Sequence, residues 1–382
     1  MENFKLKELV TQDIEHELEK IGFDSSYIKK AADKYRYKTI KIFDLSIAQA
    51  NILKQTALTV GADCAVNKEI LTAKKLTTDT ILGGSYSQLI KIAEKLKQQP
   101  FAMKVLSENI LELLINKPRT TKIVGILNVT PDSFSDGGLY TDIKSAQKHL
   151  ISMINDGADI IDIGAESTRP YSEEVPAEEQ IKRLTPILKF IKSENLKTLT
   201  SVDTRSSIVA EFALDNGVNI INDVSGFDYD SLMPKIISKY QAQVIIQHSQ
   251  GLPNNMQNNP TYSDVVEEIY KSLQAKLNLA TDAGIKNIIL DVGIGFGKSQ
   301  KDNFEILNRI EEFYSLNSPI MVGVSRKSLL GLSNSDDNAL KDSLTLAISY
   351  PLIQKGVDYL RVHNVKLHKM LCELYKTTSK NA

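Results

Sequence analysis

From Ile123 onward a short apolar run and a longer amphipathic stretch alternate eight times. The runs are "IVGILNV", "IIDIGA", "TLTSVD", "NIINDVS", "QVIIQHS", "IILDVG", "IMVGVS" and "YLRVH". Helix-like stretches such as "DIKSAQKHLISMINDGA" lie between them, and "VKLHKMLCELY" follows the eighth. Apolar runs of this length suit strands buried on both faces, and amphipathic stretches between parallel strands suit crossover helices. Eight such units match a (β/α)8 TIM barrel of about 250 residues. An open doubly wound sheet is the alternative, but near-equal units favour closure. The expected fold class is therefore α/β, a (β/α)8 barrel over 119–382 preceded by a small α/β domain over 1–118.

That first domain is expected to end around "NKPRT", at Pro118. Within it, "YKTIKIFDLS" alternates like a strand and "IAQANILKQTALTVG" has helical periodicity, with Gly61 placed to end it. "DTILGGSYSQLIKIAEKLKQQP" reads as strand, glycine turn and helix, with Ser85 or Ser87 as N-cap. Gly83-Gly84 reads more readily as a tight turn than as an anion cradle. No His, Asp and Glu cluster in 1–118 suggests a site, so a structural or oligomeric role is expected there, with a regulatory or unassigned binding role as the alternative.

The barrel runs end in residues a core would not choose: Asn128, Asp162 to Glu166, Asp203, Asn222-Asp223, Gln247-His248, Asp291, Ser325-Arg326-Lys327, and Arg361 with His363. In a parallel barrel these ends share one face, where such folds carry their chemistry. A single case, such as Asp223 or Ser325, can be a helix cap, but eight together mark a site. Asp203, Asn222 and Asp291 suit a flat polar heterocycle. Arg169, Lys327, Arg361 and His363 supply positive charge suited to an anionic tail.

Composition sets outer bounds. A net charge of −1, without a basic block, argues against a nucleic-acid surface. No apolar run approaches the ~20 residues of a membrane span, and the first residues lack a signal-peptide core. Cys64 and Cys372 lack metal or redox spacing, which fits a reducing cytoplasm.

The segments "GILNVTPDSFSDGG", "DIGAESTRP", "SVDT", "INDVSG", "LDVGIGFGK", "GVSRKS" and "LRVH", in that order, resemble dihydropteroate synthase over residues 121 to about 372. The resemblance implies condensation of 6-hydroxymethyl-7,8-dihydropterin pyrophosphate with p-aminobenzoate, with release of pyrophosphate. It places Asp203, Asn222, Asp291 and Lys327 around the pterin ring. Thr168, Arg169, Arg361 and His363 fall on the pyrophosphate, with Asn128 and pyrophosphate coordinating Mg2+. It also implies a first loop that closes over the site, with Phe134 as one wall of the p-aminobenzoate slot, Pro170 as the other, and Asp136 joining the two loops near Arg169. Gln247, Ser249, Val292, Ala165 and Tyr171 depart from the family's usual residues without removing a charged position. A homodimer through the last helices is implied, with no nucleic acid or membrane partner. The alternatives are a pterin-binding methyltransferase domain, which would not need Phe134 or the anion cluster, and a non-catalytic pterin-binding paralogue.

Overall fold

The computed structural model describes residues 4–9, 13–70, 74–115, 117–129, 138–166, 174–251, 260–331 and 337–380. The chain divides into two compact units, Met1–Pro118 and Arg119–Ala382.

The first unit holds α1 (Ile14–Lys20), α2 (Ile28–Ala32), β1 (Tyr37–Ser46), α3 (Ile47–Leu58), β2 (Asp63–Val66), β3 (Thr77–Ser85), α4 (Tyr86–Leu96) and α5 (Met103–Leu113). Its antiparallel sheet has the order β1-β3-β2. β1 and β3 each run straight into a helix by the same device. Ser46 and Ser85 cap the helix start, and Gln49 and Gln88, three residues on, reach back to the cap's own N–H at 2.9 Å. Leu53, Leu82, Leu89, Ile92 and Ile110 fill the core between sheet and helices. The expected glycine turn before α4 is not formed. Gly83 and Gly84 continue β3, pairing with Thr39 and Lys38, and a β-carbon on Gly83 would lie 2.5 Å from the Tyr37 hydroxyl. These glycines make room for a neighbouring side chain, and the Ser85 cap turns the chain.

The second unit is a closed barrel of eight parallel strands. In chain order it runs β4 (Lys122–Asn128), α6 (Gly138–Asn155), β5 (Ile160–Gly164), α7 (Ala177–Ser193), β6 (Leu199–Asp203), α8 (Ser207–Asp215), β7 (Ile220–Asp223) and α9 (Met233–Tyr240). It continues with β8 (Gln243–Gln247), α10 (Val265–Asp282), β9 (Ile288–Asp291), α11 (Gln300–Asn308), β10 (Ile320–Val322), α12 (Asn338–Gln354), β11 (Tyr359–Val362) and α13 (Val365–Lys380). Asp264, with its carboxylate on the N–H groups of Val266 and Glu267, caps α10 in the ordinary way.

The strands' two-residue period sorts their side chains into layers. Ile161, Ile163, Val202, Ile221, Val244, Ile246, Leu290, Val322 and Leu360 face the helices and form the main core. Val124, Ile160, Ile220, Ile245, Ile289, Met321 and Tyr359 form a separate buried cluster, an apolar plug across the barrel's interior. Two residues further along the same strands the interior becomes polar, with Asp162, Asn222, Gln247, Asp291 and Arg361. The register adds Ser201 beside Asp162, and Asp203 beside Asn222 and Gly164. The plug closes the barrel from below, so these polar groups open only toward the strands' C-terminal ends.

Candidate active site

Arg361 is the hub of the polar layer. Its Nε donates to Asp162 Oδ2 at 2.6 Å and its Nη2 to Asp203 Oδ2 at 3.0 Å. Asn222 donates from Nδ2 to the same Asp162 oxygen at 3.0 Å. Two carboxylates thus share one guanidinium, and three of its five N–H groups are left for other partners. Burial pushes Asp203 up to about 7, the pull of Arg361 opposing it while Asp162, Glu166 and Asp223 add to the rise. Asp162 Oδ1, Asn222 Oδ1 and Ser201 Oγ are buried with no hydrogen-bond partner among the described residues. An unmet buried polar group costs about 1–3 kcal/mol, so a cluster of them suits a ligand that brings N–H groups.

Lys327 lies past β10, the strand next to the β11 that carries Arg361. Its ammonium donates to the Ile294 carbonyl and stands 4.7 Å from the centre of the Phe296 ring. Burial holds it down at about 8, with Asp291 pulling the other way. Asp291, itself pushed up by burial, accepts the Gly293 N–H at 2.7 Å. Gly293 has φ +66°, and a β-carbon there would lie 1.8 Å from the His248 carbonyl oxygen, so only glycine lets the two strand ends meet.

His363 follows β11 directly. Its Nδ1 is 2.9 Å from Ser325 Oγ, and that hydroxyl accepts the His363 backbone N–H at 3.2 Å. Asn128 ends β4 half-buried, with its Oδ1 3.2 Å from where a β-carbon on Gly164 would be. The absent side chain at Gly164 is what gives Asn128 its place at the mouth.

Asp203, Asn222, Asp291, Lys327, Arg361, His363 and Asn128 all therefore stand at the strands' C-terminal ends. Lys327 and His363 lie just past β10 and β11, in the loops. Phe134, Asp136, Thr168, Arg169 and Pro170 lie outside the described residues, as does Tyr171.

Other strand-end residues turn out to hold the frame. Asp223 accepts Ser225 N–H and Phe227 N–H at 2.9 Å each, shaping its own loop. His248 faces Lys298, whose ammonium is 3.0 Å from His248 Nδ1 and donates to the Gly293 and Phe296 carbonyls at 2.8 and 2.9 Å. Burial lowers Lys298 to about 7 and His248 to about 2, so the imidazole is a neutral acceptor. Gln247 donates to the Val224 carbonyl at 3.3 Å.

Three further groups matter here. Asp162 is one of the polar strand-end residues, and counting inward parity on β5 from Ile160 places it in the barrel's interior beside Arg361. Arg205 binds Glu166 at 2.9 Å and lies 4.3 Å over the Tyr229 ring, and Glu166 also accepts the Val175 N–H at 3.2 Å. With Ser225, Ser249 and Phe296, Arg205 and Tyr229 line a cavity of about 210 Å³. Asp342, in α12, carries no sequence signal at all.

Comparison with known proteins fits this geometry. Residues 124–363 match the family model described as pterin binding enzyme. The dihydropteroate synthase of Clostridium beijerinckii is 45% identical over 248 residues, which is 64% of this chain and 89% of that protein. The chain belongs to the dihydropteroate synthase family. It is accordingly a transferase of folate biosynthesis.

The crystal structure of the Clostridium difficile dihydropteroate synthase in the presence of pteroic acid has a TM-score of 0.63 and 40% identity, covering 68% of this chain and 97% of that one. Helicobacter pylori has a bifunctional dihydropteroate synthase/dihydropteroate reductase that is 32% identical over 379 residues, 97% of this chain and 98% of that one. A probable bifunctional folylpolyglutamate synthase/dihydropteroate synthase of Haloferax volcanii is 36% identical over 346 residues, 83% of this chain. The chain spans about two fifths of that relative's length, 40%.

Proposed function

We propose that the chain joins p-aminobenzoate to the methylene carbon of 6-hydroxymethyl-7,8-dihydropterin pyrophosphate, releasing pyrophosphate and giving 7,8-dihydropteroate. The observation that carries this reading is the polar layer above the sealed plug. Its unpartnered acceptors on Asp162, Asn222 and Ser201 match the ring N–H and amino donors of a pterin. Asp291 and Lys327 offer one acceptor and one cation at the other side of the same space.

Bond breaking leaves positive charge on the pterin methylene and negative charge on pyrophosphate. Asp203 disperses the first, while the remaining donors of Arg361, the His363 imidazole and, in this reading, Thr168 and Arg169 receive the second. Fixed groups of this kind act without reorganising during the reaction. The aromatic amine then attacks and releases its proton once the new C–N bond has formed. Phe134 and Pro170 would flank its ring, with Asp136 joining their loops.

Mg2+ favours oxygen donors and is commonly held by one or two protein groups plus substrate phosphates. The Asn128 amide oxygen, set at the mouth by Gly164, fits such a role, and among the described residues no group of three His, Cys, Asp or Glu gathers to hold a metal alone. When bound, the ion would neutralise the leaving pyrophosphate.

Exposed apolar side chains on the adjoining α12 and α13, among them Tyr350, Leu367, Met370 and Leu374, support pairing with a second copy. Buried free thiols at Cys64 and Cys372 support residence in a reducing cytoplasm. Among the described residues no helix is long and apolar enough to cross a membrane. Residues 1–118 are read as a separate supporting domain.

The near full-length match to the bifunctional Helicobacter pylori protein favours a second reading, in which the chain also reduces dihydropteroate. Purified protein given dihydropterin pyrophosphate and Mg2+, with and without p-aminobenzoate, tests the first reading. Pyrophosphate release coupled to dihydropteroate formation is expected. Pterin binding without turnover would leave only a binding protein. Consumption of added dihydropteroate in the presence of a supplied reductant would support the second reading.

A further inference from the structure

Lys327 and His363 sit on separate loops, after β10 and β11, yet must face one substrate. The residue beside each of them reaches the same carboxylate. Arg326, before Lys327, donates from Nε and Nη2 to the two oxygens of Asp342 at 2.7 and 2.9 Å. Asn364, after His363, donates its amide to Asp342 Oδ2 at 3.1 Å. Asp342 lies in the second turn of α12, 6% exposed.

Arg326 also has φ +56°, a left-handed conformation that is strained for a non-glycine residue. Such strain persists only where surrounding contacts over-determine it. Here the contacts are the two-pronged ion pair with Asp342 and the Arg326 backbone N–H on Thr345 Oγ1, at 3.3 Å, also from α12. The reversed backbone at Arg326 lets that side chain turn toward α12 while Lys327, the next residue, reaches the Ile294 carbonyl over the barrel. On the other loop, Asn364 Oδ1 accepts the Leu367 N–H at 3.2 Å, tying the start of α13 to the same point.

We propose that Asp342 is a positioning residue for the condensation. It acts through Arg326 on Lys327 and through Asn364 on His363, fixing the pterin-side cation and the pyrophosphate-side imidazole relative to each other. Its carboxylate does not belong to the polar layer.

The proposal rests on the condensation reading, and the test separates the two. Wild type, Asp342→Asn, Asp342→Glu, Arg326→Lys and Arg326→Met would be compared for kcat/KM with pterin pyrophosphate, for Kd of inorganic pyrophosphate, and for melting temperature. A misplacement of about 1 Å in a reacting site can lower rate on the order of 100-fold. Asp342→Asn is expected to lose kcat/KM on that scale and to weaken pyrophosphate binding while still melting cooperatively above the assay temperature. Asp342→Glu should recover part of the loss. Adding Arg326→Met to Asp342→Asn should cost little more, because both remove one contact. If Asp342→Asn does not fold, Arg326→Lys, which keeps the charge without the fork, decides. A folded Asp342→Asn or Arg326→Lys with wild-type kcat/KM and pyrophosphate affinity would overturn the proposal. A wild-type protein that releases no pyrophosphate would instead overturn the condensation reading.

Discussion

At the residue scale, the site is a problem of how much charge a closed barrel tolerates. Two carboxylates and one guanidinium meet at Arg361, and a buried ionised group is stable only when paired and hydrogen-bonded. Asp203 faces Arg361, Asp162, Glu166 and Asp223, and stands at about 7. Lys327 faces Asp291, Arg361 and Asp203, and stands at about 8. Ionised Asp203 is lost as pH falls below the first value, and the Lys327 ammonium is lost as pH rises above the second. The kcat/KM for pterin pyrophosphate is therefore expected to form a narrow bell with its two limbs near those values, as initial rates across pH would show. Lys327→Arg keeps its charge at all these values, so its alkaline limb should vanish even if the rate is lower. Asp162→Asn tests the sharing of Arg361. Removing a negative charge beside Asp203 lowers the Asp203 pKa, so the acid limb should move to lower pH. The same change should cost about 1–3 kcal/mol of stability, measured by denaturant unfolding. An acid limb that stays in place would show that Asp203 does not set it.

At the element scale, the eight apolar runs and their polar ends were legible, and so was the face on which the site lies. The layers inside the barrel follow from counting in twos from residues such as Ile160 and Ile220, which separates Asp162 and Asn222 from the plug beneath them. What could not be read were contacts whose meaning depends on a distant partner. Asp342 looks like any acid on an amphipathic helix until Arg326 is seen in the left-handed region. His248, at a strand end, looks like a ligand-facing group until Lys298 is found against it. Gly83-Gly84 looked like a turn because glycine marks both turns and close approaches, and Tyr37 settles which. Close approach also gives a prediction. Gly164→Ala places a methyl 3.2 Å from Asn128 Oδ1, a contact relieved by a few tenths of an ångström. It should raise the Mg2+ concentration needed for half-maximal pyrophosphate release while lowering the melting temperature by only a few degrees. Gly293→Ala, by contrast, meets the His248 backbone, and strain plus overpacking should destabilise the fold by about 2–5 kcal/mol in chemical denaturation.

At the scale of the whole molecule, the barrel's cores draw on residues from Ile123 to Cys372, and its described site groups on residues from Asn128 to His363. Residues 1–118 build their own core around Leu53, Leu82 and Leu89. Each unit thus carries the apolar groups that a fold needs, and the candidate site described above draws on one of them. A fragment starting at Arg119 should therefore fold, melt cooperatively and release pyrophosphate at a rate within a few-fold of the full chain. The relatives sharpen what the remainder contributes. The Clostridium beijerinckii protein matches 64% of this chain, whereas the bifunctional Helicobacter pylori protein matches 97%. If the longer match reflects a shared second activity, the full chain should consume dihydropteroate when a reductant is supplied and the fragment should not. Equal consumption by both would place that activity in the barrel. Condensation by the full chain alone would instead make residues 1–118 part of the synthase itself.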